Sequence, residues 1–163
     1  MKKANRIISV LALVLVLALS FTACASGTVA KSGTATLAVE NRDGTYTTYD
    51  VDLSKLEKRD EGAISLLEYV ASLEGSSLYY NVQWGGGYGA YITAIGSLTP
   101  VVTNNEYISL YTNEEADFAV PTEYMPTVST ADYNGETLTY AGVGLSSMHI
   151  NDGTVILFRL ESY

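Results

Sequence analysis

Apolar and polar residues alternate from Thr34 onward. Ala35, Leu37 and Val39 fall on one face and Thr36, Ala38 and Glu40 on the other, which is the period of an extended strand. Asn41-Arg42-Asp43-Gly44 then supplies a turn. From Thr45 to Leu53 the alternation returns and places Tyr49, Val51 and Leu53 together, so the segment predicts a β-hairpin. Ser54 to Glu61 is a charged connection in which Asp60 is placed to cap a helix. The period then changes. Ala63, Ile64, Leu66, Leu67, Val70, Ala71 and Leu73 recur at the i, i+3, i+4, i+7 spacing of one helical face until Gly75, and this helix is expected to cover one face of the sheet.

The stretch from Tyr79 to Leu98 has a different character. It holds the single tryptophan, Trp84, four tyrosines (Tyr79, Tyr80, Tyr88, Tyr91) and a glycine run at Gly85, Gly86 and Gly87 followed by Gly89. Tyr91, Ile92, Thr93 and Ile95 have the aromatic and β-branched content of a strand that Gly96 ends. Beyond Thr99-Pro100, Tyr107, Ile108, Leu110 and Tyr111 predict another strand. Between 112 and 132, Glu114, Glu115, Asp117, Pro121 and Pro126 break any period, so this part reads as an irregular insertion. Asn134-Gly135 is a strong turn signal before a short strand at Thr137 to Tyr140. Met148, His149 and Ile150 read as extended, and Asn151-Asp152-Gly153 turns the chain into Thr154 to Leu160. There Val155 and Leu157 face one way and Ile156, Phe158 and Leu160 the other, the pattern of a strand central in its sheet. The elements sum to an α+β fold: a β-grasp-like mixed sheet with one helix packed on one face, plus an irregular insertion.

Composition adds a leader and a charge. Lys2, Lys3 and Arg6 precede an apolar run from Ile7 to Leu19 and then Phe21-Thr22-Ala23-Cys24. The run is shorter than the roughly 20 residues that span a bilayer, so it reads as an export signal. The end of the segment resembles a bacterial lipobox, with Phe21 where leucine is more usual. The resemblance implies cleavage before Cys24, the sole cysteine, and acylation of its thiol, hence a lipid anchor at the outer side of the cell membrane. The division expected is a signal peptide at 1–23, a small-residue tether at 24–33 and one domain at 34–163. Of nine Lys and Arg, three lie before position 24; the remaining six against 18 Asp and Glu leave a net charge of −12. That field repels nucleic acid and excludes it as a direct partner.

Three blocks resemble a known family. Tyr88-Gly89-Ala90-Tyr91-Ile92-Thr93-Ala94-Ile95-Gly96-Ser97-Leu98, Asn104-Asn105-Glu106-Tyr107-Ile108-Ser109-Leu110, and Gly142-Val143-Gly144-Leu145 through Asn151-Asp152-Gly153 to Phe158 are similar to the motifs of transcobalamin-like C-terminal (DUF4430) domains, in the family's order. Ile108 stands where the family usually has tryptophan. The resemblance implies a non-catalytic domain that binds cobalamin or another corrinoid, with Trp84, Gly86, Tyr88, Tyr91, Thr93 and Tyr107 as candidate ligand-binding residues. Cobalamin carriers of this kind close the corrinoid between the β-domain and a helical barrel, so a lone domain of this type is expected to bind weakly.

Catalytic chemistry finds little support. His149 is the single histidine, and its place between Met148 and Ile150 reads as strand packing or surface rather than as a general base. One histidine and one cysteine exclude a metal site built on those residues, and Glu114, Glu115 and Asp117 read as a solvated acidic turn rather than a Ca²⁺ loop. No cofactor is required. The aromatics around the glycine run support binding of a flat ring or a sugar, or else simple core packing. The alternatives to a corrinoid carrier are a carbohydrate- or wall-binding module and a protein-interaction module of the cell envelope.

Overall fold

The computed structural model describes residues 27–85 and 89–163. The expected export segment and Cys24, like Gly86, Gly87 and Tyr88, lie outside the described residues. Among those described, no helix is long and apolar enough to cross a membrane.

The opening hairpin forms where the alternation places it, with β1 (Thr34–Glu40) antiparallel to β2 (Tyr46–Asp52) and Ala35 opposite Val51. Helix α1 (Ala63–Ser72) follows. Its N-cap is Gly62 rather than Asp60. Gly62 makes no side-chain capping bond, and the first turn is closed instead by the Ile64 and Ser65 N–H groups donating to the Glu61 and Gly62 carbonyls. The aromatic stretch yields two strands, β3 (Tyr80–Trp84) and β4 (Ala90–Ile95), which pair only with each other and carry a register shift at Asn81/Val82. β5 (Glu106–Thr112), the hairpin β6 (Thr130–Tyr133) and β7 (Glu136–Tyr140), and β8 (Val155–Ser162) complete the fold.

The main sheet has the order β2-β1-β8-β5-β7-β6, with β8 parallel to β1 and antiparallel to β5. A hairpin, a helical crossover and a last strand slotted in parallel beside the first is the β-grasp arrangement, so the chain is an α+β protein of that kind. The strand that is apolar on both faces is the central one, because each face meets a core. Ile156 and Phe158 join Leu37, Val39, Val51 and the helix residues Leu66, Leu67 and Val70 in the larger core. Val155 and Leu157 enter a second, smaller one with Ala38, Tyr111, Ala131, Tyr133 and Leu138.

That second core exists because the sheet curls. Tyr46 on the outermost strand β2 meets Tyr133 on the opposite outermost strand β6, with ring centroids 5.1 Å apart and planes at 89°, and the Tyr46 hydroxyl donates to the Asp132 carbonyl at 3.2 Å. Ala38, which the alternation assigns to the polar face, is therefore wholly buried.

The expected tether is shorter than the sequence suggests. From Gly27 the chain already docks, with Val29 in a parallel bridge to Ile150, the Ala30 N–H on the Ile150 carbonyl at 2.8 Å and the Arg59 guanidinium on the Ala30 carbonyl at 2.6 Å. Gly27 lies so close to the Met148 carbonyl that a β-carbon has no room there. Small residues that read as flexible linker instead permit close backbone approach.

Candidate functional site

Alternation along β5 sends Ile108 and Leu110 to the helix side of the sheet and Tyr107, Ser109 and Tyr111 to the other. The helix covers the β1–β8 part of its face and leaves Ile108 and Leu110 as the floor of an open cleft of about 470 Å³. Tyr91 of β4 forms one wall, and Val120, Thr122 and Met125 of the insertion form the other. The backbone from Ala141 to Gly144 closes one end. Among the described residues no charged side chain lines this cleft.

The insertion wall is held firmly at its base. The Ala119 N–H donates to the Tyr140 carbonyl at 2.9 Å and the Gly142 N–H to the Asp117 carbonyl at 2.8 Å. Gly142 packs so closely that a β-carbon on it falls 2.7 Å from the Ala119 Cα. Asp117 is 1% exposed and takes the His149 backbone N–H on one oxygen at 2.7 Å, while its other oxygen lies 2.6 Å from His149 Nδ1. Two sequence readings change here. Asp117 belongs to no solvated turn, since a buried carboxyl needs partners and finds them 32 positions away. His149 is in no strand; it follows a single 3₁₀ turn at Leu145–Ser147 and is oriented by Asp117. Farther out, the Thr122 N–H donates to the Met125 carbonyl at 2.9 Å, a turn that leaves Tyr124 95% exposed.

The aromatic candidates do not share one surface. In the β3–β4 pair Gln83 lies opposite Tyr91 and Trp84 opposite Ala90, so Tyr91 and Trp84 fall on opposite faces of the hairpin. Tyr91 is 49% exposed, lines the cleft and donates its hydroxyl to the side-chain amide oxygen of Gln83. Trp84 is 64% exposed at the hairpin tip. The Thr93 hydroxyl is spent within the hairpin, on the Asn81 carbonyl at 3.2 Å. Tyr107 lies across the sheet from the cleft, where its hydroxyl donates to Glu161 at 3.3 Å. Ser109 donates to the same carboxylate at 3.0 Å, and so does Tyr111. Burial, and then this carboxylate, push the Tyr111 hydroxyl far above its ordinary pKa. Val120, Thr122 and Met125 carry no sequence signal for a site, because an irregular segment has no period from which a face can be read.

Among the described residues no group of three or more His, Cys, Asp or Glu side chains is placed to hold a metal ion. No protein-family model matches the chain, and no curated protein matches it in sequence. Among solved structures it is similar to a candidate metal-binding protein from Ruminococcus gnavus ATCC 29149. The TM-score is 0.52 at 14% identity, over 80% of this chain and 98% of that one. At that identity the likeness is one of fold, and it agrees with the α+β class read from topology.

Proposed function

We propose that this chain is a non-catalytic, ligand-binding lipoprotein of the bacterial cell envelope, anchored through an acylated Cys24 and related to the transcobalamin-like C-terminal domains. Its ligand is a flat, largely apolar ring system, and a corrinoid is the first choice. The observation that carries the reading is the uncharged cleft between Tyr91 and the insertion. An apolar concavity with a few polar edges is the usual form of a small-molecule site, and this one lies in the range of about 300–1,000 Å³ that such sites occupy. The cleft grips one edge of a corrinoid rather than enclosing it, so affinity is modest.

Calorimetric titration of the chain from residue 24 onward, with cobalamin and with a corrinoid lacking the lower base, tests the reading. Saturable heat is expected, weakened about 3- to 10-fold by Tyr91→Ala for the loss of one aromatic contact, and unchanged by Tyr107→Phe on the far face. Absence of heat at millimolar ligand removes the corrinoid. The metal-binding description of the Ruminococcus gnavus protein makes divalent cations the natural control titration. Trp84, exposed and outside the cleft, favours a second reading in which the hairpin tip stacks on a wall sugar; binding of an oligosaccharide that Trp84→Ala abolishes distinguishes it.

A further inference from the structure

Helix α1 turns Ala63, Leu66, Leu67 and Val70 to the core, and at about 100° per residue Ser65 falls on the opposite, outward side. It is nonetheless only 3% exposed. The segment from Leu53 to Lys58 is pinned in the core by Leu53 and Leu56. Its residues Lys55, Glu57 and Lys58 and the helix residues Ser65, Glu68 and Tyr69, among others, line one open pocket of about 340 Å³. Among the described residues the Ser65 hydroxyl is the one buried side-chain polar group without a hydrogen-bond partner. Alanine is the better helix former at such a position, and an orphaned buried hydroxyl is destabilising.

The charges around the pocket define what fits it. Lys58 and Glu68 neutralise one another at 3.2 Å. Lys55 and Glu57 line the same pocket and, among the described residues, take part in no ion pair. A simple anion meets two lining carboxylates on a chain of net charge −9, and a simple cation meets two lysines. We propose that this pocket is a second ligand site, for a small zwitterion of the amino-acid type. Its carboxylate faces the Lys55 ammonium, its ammonium faces the Glu57 carboxylate, a rotation about the Ser65 side chain supplies the missing hydrogen bond, and an apolar side chain rests on Leu56 and Tyr69.

The test is an amide NMR titration of the purified chain with L-leucine, its methyl ester and N-acetyl-L-leucine. L-leucine is expected to shift the amides of residues 55–58 and 65–69 saturably, and each blocked probe, lacking one charge-assisted contact, to bind roughly tenfold more weakly. Ser65→Ala is expected to raise Tm while weakening L-leucine several-fold. The exposed substitution Lys55→Gln is expected to weaken it to the level of the acetylated or esterified probes without altering Tm. Absence of shifts with L-leucine, equal binding of either blocked probe, or undiminished binding by both variants overturns the proposal. Because the pocket and the cleft use different residues, none of these outcomes bears on the corrinoid reading.

Discussion

Glu106 gathers three donors on one carboxylate: the Arg42 guanidinium at 2.7 Å, the Val101 N–H at 2.8 Å and the Asn104 side-chain amide at 3.5 Å. The Arg42 bond first, and then the Val101 N–H, draw its pKa from the ordinary 4.5 down to about 2. A folded value below the unfolded one means that Glu106 supports the fold fully above pH 4.5 and that this support is lost as pH falls from 4.5 through about 2. A carboxyl-detected NMR titration is expected to find Glu106 titrating near 2, and Glu106→Gln to remove that low transition while freeing the turn at residues 99–105. Asp117 is the buried counterpart. Asp117→Asn, which turns one acceptor into a donor facing His149, is expected to destabilise the chain by about 1–3 kcal/mol in urea denaturation. It is also expected to speed hydrogen exchange at the Ala119 and Gly142 amides that hold the cleft wall.

At the scale of elements, turns and strands were the most legible. Asn134 and Gly135 both adopt positive φ, 50° and 85°, as a two-residue hairpin turn requires, and the dipeptide announces it in the sequence. Gly135→Ala is expected to cost about 1–2 kcal/mol, measured by denaturation, since a β-carbon is disfavoured in that conformation although nothing crowds it. The helix is legible through its apolar period, whereas its start is not, because the cap at Gly62 relies on backbone groups instead of a capping side chain. β3 and β6 escaped the sequence reading. Tyr80–Trp84 mixes a half-buried Tyr80 and an exposed Trp84 with Asn81 and Gln83, and Thr130–Tyr133 is four residues long, too short for alternation to stand out.

For the whole molecule, the decisive feature is the curl that brings β2 and β6 together. A double-mutant cycle on Tyr46→Ala and Tyr133→Ala is expected to give a coupling of about 0.5–1.5 kcal/mol by chemical denaturation, the scale of an edge-to-face aromatic pair. A value near zero means the sheet stays open at that seam. Alternation along β5 and its register beside β8 direct Tyr107 toward Glu161 and away from the cleft, so the two aromatic strands of the family-like motif serve different faces.

By itself the sequence determined the α+β class, the opening hairpin, the helix that follows it and the central last strand, because periods of 2 and 3.6 are local properties that neighbouring residues encode. Only the tertiary structure decided which aromatics meet, that Asp117 orients His149, that Ala38 is buried, that the segment after Gly27 is docked, and that an irregular insertion walls a cleft. Those outcomes depend on strand order, curl and loop anchoring between residues tens of positions apart, where no local period carries the information.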